Sequence, residues 1–153
     1  MHARYAPALL LLLAACATAQ APQAPTSRTV VAPVSQVRDR VAAAIRDLGL
    51  SPQPTPTGVQ AVAEGGAPQD WASCQPQLVY DRQSSPPRST WVSPDAREAA
   101  VTVSLASEGQ GTRVSVDPTF TATYLNPYRN TPVQHPCTST GTLESRLLAA
   151  AAG

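Results

Sequence analysis

Two segments in the second half of the chain alternate between apolar and polar residues. Their apolar members are, in order, Val101, Val103, Leu105, Val114, Val116, Phe120, Ala122 and Tyr124. A period of two places the apolar side chains on one face of a strand and the polar side chains on the other. Residues 108–111, which read Glu-Gly-Gln-Gly, are typical of a turn. The pattern predicts an antiparallel hairpin whose threonine- and serine-rich polar face is exposed to water, with a bulge or a sheet edge at Pro118.

Apolar residues recur at helical spacing before and after this hairpin. The first stripe consists of Val34, Val37, Val41, Ile45 and Leu48, and the second of Leu143, Leu147, Leu148 and Ala151. We expect the first helix to run from about Ser35, which can act as its N-cap, to a stop at Gly49. The second helix is expected to begin near residue 140 or 141. Glu144 then lies in its first turn, where a carboxylate favours the positive end of the helix dipole.

Short strands are predicted at residues 59–64 and 77–81. Segments 51–58, 84–95 and 126–136 each contain three prolines and predict loops. The expected fold is therefore α+β: a helix, an antiparallel sheet of about four strands, and a C-terminal helix packed on the sheet.

The N-terminus has the layout of an export signal. An apolar stretch over residues 8–15 follows a short start that contains Arg4. A helix that spans a bilayer needs about 20 apolar residues, whereas the apolar region of a secretory signal has about 7–15. We therefore expect a cleaved signal. One alternative is an ordinary signal peptide that is cut after a nearby alanine, in which case Cys16 has no role.

The Leu-Ala-Ala-Cys sequence at residues 13–16 resembles the lipobox of bacterial lipoproteins. In that family a peptidase cuts before the cysteine, and acyl chains on the cysteine anchor the protein in a membrane. The resemblance implies a signal peptide at residues 1–15, a lipidated Cys16 with a Pro/Ala/Gln-rich tether over residues 16–33, and a single α+β domain over residues 34–151. Ala17, where some lipoproteins have aspartate, resembles the signal for a periplasm-facing position on the bacterial outer membrane.

Lipidation of Cys16 would leave Cys74 and Cys137 as the two remaining cysteines. Two cysteines in an exported domain most often form a disulfide, which here would close a loop of 63 residues. The alternative is a metal site. That alternative lacks ligands, because the predicted mature chain has a single histidine, His135, and no Cys-x-x-Cys spacing.

Charge and motifs argue against several classes of function. The predicted mature chain has ten basic and ten acidic residues, and a net charge near zero argues against nucleic acid as a partner. His135 is its only histidine, and no nucleophile-elbow motif or phosphate-binding glycine loop accompanies it. We therefore expect a protein that is not an enzyme and that holds no metal or cofactor.

A few aromatic residues are candidates for binding a partner. Trp71 is expected to cap the small core beside the cysteines, whereas Trp91 is an equal candidate for packing and for partner contact. The segment after the hairpin adds Tyr128 and Arg129 to the candidate partner contacts, with ordinary loop packing as the alternative.

The order of these features is similar to that of a known group of lipoproteins. The pattern resembles the helix-grip domains of the C-type lipoprotein subunit of the β-barrel assembly machinery. Its features, in order, are a lipobox, a proline-rich tether, a helix ending in Leu48-Gly49, several strands and a final helix introduced by residues 137–144. The resemblance implies an accessory or scaffolding partner of an outer-membrane assembly or secretion complex, with an envelope protein as its partner.

A second hypothesis is a carrier of a small apolar ligand. The ligand would lie in a groove between the C-terminal helix and the sheet. The side chains expected to line that groove are Leu143 or Leu147 and Val103 or Tyr124.

Overall fold

Six antiparallel strands form one sheet, and two helices lie against its apolar face. The computed structural model describes residues 25–63 and 66–153, so the predicted signal peptide and Cys16 lie outside the described residues. The strands are β1 Ser27–Val30, β2 Leu50–Thr55, β3 Gly58–Ala63, β4 Ala72–Ser73, β5 Gln77–Asp81, β6 Arg88–Val92, β7 Ala96–Glu108, β8 Gly111–Asn126, β9 Thr131–Pro136 and β10 Thr138–Ser139. The helices are α1 Val34–Asp47 and α2 Thr142–Ala152. No helix in the described residues is long and apolar enough to cross a membrane.

Strands β7 and β8 are the predicted hairpin, which is confirmed. Their pairing runs without a bulge from Glu108 opposite Gly111 to Ala96 opposite Thr123. The apolar side chains of both strands are buried on one face, and the serines and threonines of the other face are exposed or half-exposed.

Pro118 lies at a local edge of β8, between the stretch that pairs with β1 and the stretch that pairs with β9. The Val116 N–H donates to the Thr26 carbonyl on that same side at 2.7 Å. Residues two apart in a strand point the same way, so the Pro118 nitrogen faces the gap between β1 and β9. The missing N–H therefore costs the sheet no hydrogen bond.

The expected fold class is wrong, because the chain is mostly β. Strands take up 51% and helices 20% of the described residues, in place of the α+β domain with about four sheet strands that the sequence predicted. The order across the sheet is β1-β8-β7-β3-β2, and β9 pairs with the far end of β8. Strands β2 and β9 come from proline-bearing segments that were predicted as loops. Both lie at sheet edges, where the outer side of a strand needs no N–H donor and proline is tolerated.

Two more strands lie in segments that were not predicted as strands. Residues 27–30, assigned to the tether from the sequence, form β1 beside β8. Residues 88–92, assigned to a loop, form β6 in a separate hairpin with β5. Strand β1 buries only Val30, and β6 buries no side chain fully, so neither carries the alternation that marks a half-buried strand.

The two helices pack against each other and against the sheet. The buried members of the two predicted stripes are Val37, Val41, Ile45, Leu143, Leu147, Leu148 and Ala151, which confirms the stripes. They share one core with the inward side chains of β3, β7 and β8. Helix α1 begins after Pro33 without a side-chain cap, rather than at Ser35, whereas α2 begins after Gly141, one of the two predicted starts.

The disulfide between Cys74 and Cys137 is present, as predicted. It follows β4 on one side and β9 on the other, next to the short pair of β4 with β10. Trp71 is only 1% exposed, and its carbonyl accepts the Thr140 N–H at 3.0 Å. These contacts hold the beginning of the β5–β6 hairpin against the sheet and the start of α2.

Candidate functional site

A cleft opens between the β5–β6 hairpin and the paired ends of β8 and β9. We call it the hairpin cleft, and its walls are residues 77–80 with Arg82 on one side and Tyr124, Asn126, Arg129, Val133 and His135 on the other. Its volume is about 460 Å³. That size lies within the range of about 300–1,000 Å³ that small-ligand sites usually have.

Strand register builds the β8–β9 wall of the cleft. Tyr124 lies opposite Val133 and Ala122 lies opposite His135, so all four side chains share one face. The Tyr124 and His135 rings pack edge to face, with centroids 5.5 Å apart. Tyr124 is 2% exposed, and its hydroxyl donates to the Gln75 carbonyl at 2.8 Å. The wall is thereby tied to the segment that leads from Cys74 into β5.

Arg82 is held at the start of the loop between β5 and β6. The neighbouring Asp81 carboxylate accepts the Gln83 N–H at 3.1 Å, and the Asp81 carbonyl accepts the Ser84 hydroxyl at 3.2 Å. An aspartate that bonds its own loop in this way fixes the turn that follows it. The turn therefore sets where the Arg82 side chain leaves the backbone.

Arg129 is held in a similar way in the loop between β8 and β9. The Asn126 side-chain oxygen accepts the N–H groups of Tyr128 and Arg129, at 2.9 and 3.2 Å. Asn130 ends the loop with φ of 52°, a left-handed conformation that asparagine adopts more readily than most residues. Each arginine of the cleft thus follows a side chain that stabilises its loop.

The cleft is positively charged. Arg82 and Arg129 both line it, no aspartate or glutamate does, and neither arginine forms an ion pair with another described residue. Two guanidinium groups on one concave surface give it a positive charge, which a bound anion would offset. The rest of the lining includes the apolar side chains of Leu78 and Val133.

The structure separates the three residues predicted as partner contacts. Arg129 lines the hairpin cleft. Tyr128 is half-buried in the same loop without lining the cleft, and Trp91 is 69% exposed on β6. His135, predicted to lie in a loop, is on β9.

Arg82 was not identified from the sequence as a member of the site. The signal that could have found it is the predicted disulfide. A bridge from Cys74 to Cys137 places the start of the segment after Cys74 beside the end of the segment that contains Val133 and His135.

A second surface lies on one face of the β5–β6 hairpin, and it shares Leu78 and Tyr80 with the lining of the hairpin cleft. Leu78 pairs with Trp91 and Tyr80 pairs with Ser89, and directly opposed residues share a face. We call these four residues the hairpin face. Tyr80 is 58% exposed and Trp91 is 69% exposed, so the hairpin face presents two large aromatic rings to solvent.

The remaining described residues form neither the predicted apolar groove nor a metal site. The groove expected for an apolar ligand would be lined by Leu143 or Leu147 and by Val103 or Tyr124. Leu143, Leu147 and Val103 are buried and do not line the hairpin cleft, so the cleft is not that groove. Along residues 25–63 and 66–153, no group of three or more histidine, cysteine, aspartate or glutamate side chains could hold a metal ion.

Comparison with known proteins gives no family for this chain. No family model, curated protein or solved structure matches it.

Proposed function

We propose that this protein is a non-catalytic, lipid-anchored protein of the bacterial envelope that binds a partner protein through the hairpin face. In this proposal lipid on Cys16 holds the domain at the periplasmic side of the outer membrane. The domain serves as an accessory or scaffolding partner of an assembly or secretion complex. The observation that carries the proposal is the exposure of Trp91 and Tyr80 on one face.

Large aromatic rings that are exposed to water contribute binding energy when a partner buries them. Burial of a side chain of this size contributes about 2–3 kcal/mol. Tryptophan and tyrosine are also enriched among the few residues that dominate protein interfaces. The β5–β6 hairpin is tied to the sheet at its base by the disulfide and by the Tyr124–Gln75 hydrogen bond. Such a base presents the two rings in a fixed direction and lowers the entropy cost of binding.

Two features support the envelope location. The first is the likeness of residues 13–16 to a lipobox. The second is the disulfide, because such bonds persist in oxidising compartments such as the periplasm. Strand β1 begins eleven residues after Cys16. That length of chain reaches at most about 40 Å, so an anchored domain would stay close to its membrane.

Site-specific photocrosslinking in native membranes tests the partner. A photoreactive residue at position 91 should crosslink to an integral outer-membrane protein, and the same residue at position 62 should not. Val62 is a matched control because it is 58% exposed but lies on β3, away from the hairpin. Free, monodisperse protein after gentle detergent extraction, with no crosslink from position 91, would contradict the proposal.

The anchor is tested separately. Mass spectrometry of the mature protein should find acyl chains on Cys16 as its first residue, and Cys16→Ser should release the protein from membranes. A mature protein that begins elsewhere and carries no lipid would refute this part of the proposal.

A further inference from the structure

We infer that the hairpin cleft binds a small amphipathic anion, that is, a compound with one carboxylate or phosphate group on a short apolar body. The inference goes beyond the proposed function, because it concerns a small ligand in the cleft rather than a protein on the hairpin face, and the two surfaces share only Leu78 and Tyr80. It holds whether or not the domain docks on a protein.

The anionic group follows from the two arginines. Arg82 and Arg129 come from different loops, and each loop is stabilised by the side chain that precedes the arginine, Asp81 or Asn126. Neither guanidinium is neutralised by a described carboxylate. Guanidinium groups bind carboxylate and phosphate oxygens through paired N–H donors, which makes such an anion the complement of this charge.

The apolar body of the ligand is inferred from the uncharged side chains that line the cleft together with the arginines. Tyr124 is 2% exposed and forms the packed floor of this wall, with its hydroxyl bonded to the Gln75 carbonyl. Val133, which is 43% exposed, and half-buried Leu78 on β5 supply the apolar surface that lines the cleft. An aromatic ring or short alkyl group would cover these side chains and remove apolar surface from water.

The size and shape of the cleft limit the ligand. A volume of about 460 Å³ suits a small molecule. Both arginines are exposed, so the anionic head would remain in contact with water. Contacts of this kind are weaker than buried ones, and the expected affinity is modest.

Calorimetric titration tests the inference. The mature protein is used as it is isolated from cells, in phosphatidylcholine nanodiscs if it carries lipid and in buffer if it does not, with the matching protein-free sample as the blank. Phenyl phosphate and phenylacetate are the probes, and their relative affinities distinguish phosphate from carboxylate. Benzyl alcohol lacks the charge and inorganic phosphate lacks the apolar body, so each should bind at least about tenfold more weakly than the better probe.

Substitution of the arginines locates the site. The double variant Arg82→Gln and Arg129→Gln should raise the Kd of the better probe by about tenfold or more, since it removes both charges. Arg88→Gln is the matched control, because Arg88 is exposed on the same hairpin but does not line the cleft. Thermal unfolding of each variant checks that the fold is retained.

Three results would overturn the inference. The first is the absence of saturable binding of either anionic probe up to about 10 mM. The second is equal binding of benzyl alcohol. The third is a loss of affinity in the Arg88 variant as large as in the double variant. Crosslinking from position 91 does not depend on any of these results, so failure here is distinguishable from failure of the proposed function.

Discussion

Removal of the Cys74–Cys137 disulfide should lower the free energy of unfolding by about 4 kcal/mol. The bridge closes a loop of 63 residues. The chain-entropy model assigns about 4 kcal/mol to the lost restraint on an unfolded chain of that length. For a domain of this size the same loss corresponds to a fall in melting temperature of about 15 °C. The fold should survive, because the β4–β10 pair and the Tyr124–Gln75 hydrogen bond still join the same regions.

Urea denaturation of three variants measures the effect. The variants are Cys74→Ala, Cys137→Ala and the double substitution, with free thiols kept reduced. Each variant breaks the same bond. The restraint is therefore lost once, and all three should lose nearly the same free energy. Wild-type protein unfolded in the presence of a reductant gives the same comparison without any substitution.

The pattern of losses can refute this reasoning. If the two single substitutions cost small amounts that add up in the double variant, the stabilisation comes from packing of the half-buried side chains rather than from the closed loop. If all three variants and the reduced wild type stay within about 1 kcal/mol of the oxidised protein, the entropy estimate is wrong.

Further predictions concern single residues. Trp71→Ala should cost about 3–5 kcal/mol, because the ring is 1% exposed, whereas Trp91→Ala should change stability by less than about 0.5 kcal/mol, as measured by denaturation. Gly58→Ala should destabilise the protein by more than about 2 kcal/mol, since a Cβ there would collide with the Val103 carbonyl, and urea denaturation checks it. Asn126→Ala should cost about 1 kcal/mol and weaken anion binding, whereas Asn126→Asp keeps the acceptor and should retain the loop.

Each of these predictions has a contrary outcome. Equal losses for the two tryptophan variants would mean that burial does not set their contributions. A neutral Gly58→Ala would show that β3 and β7 lie further apart than described. An unchanged anion affinity in Asn126→Ala would show that the side chain does not position Arg129.

Local patterns predicted the elements whose burial follows a simple period. The β7–β8 hairpin alternates over many residues, and the stripes of α1 and α2 recur every three or four residues, so each could be assigned without its neighbours. The Cys74–Cys137 pair needed only a count of cysteines and an expected compartment. These elements form the centre of the domain.

The edge of the sheet could not be predicted in this way. Strands β2 and β9 contain prolines that favour loops locally, and these are accommodated because no further strand among the described residues pairs outside them. Strand β1 has one buried side chain and depends on β8 for its partner. The hairpin cleft could not be predicted for a similar reason. Its two arginines are far apart in sequence, and only the tertiary structure places both of them in the lining of one cleft.

The position of β1 has a mechanical consequence. In the proposed anchored form the chain would enter β1 at Ser27, so a pull from the membrane would reach β1 before every other described element. Four register pairs with β8 hold this strand. Its detachment would release residues 27–33 as about 25 Å of extra chain and would remove Val30 and Ala32 from the core, while the five other strands of the sheet keep their pairing. Under load the domain would therefore extend further from the membrane before the rest of its sheet is disturbed.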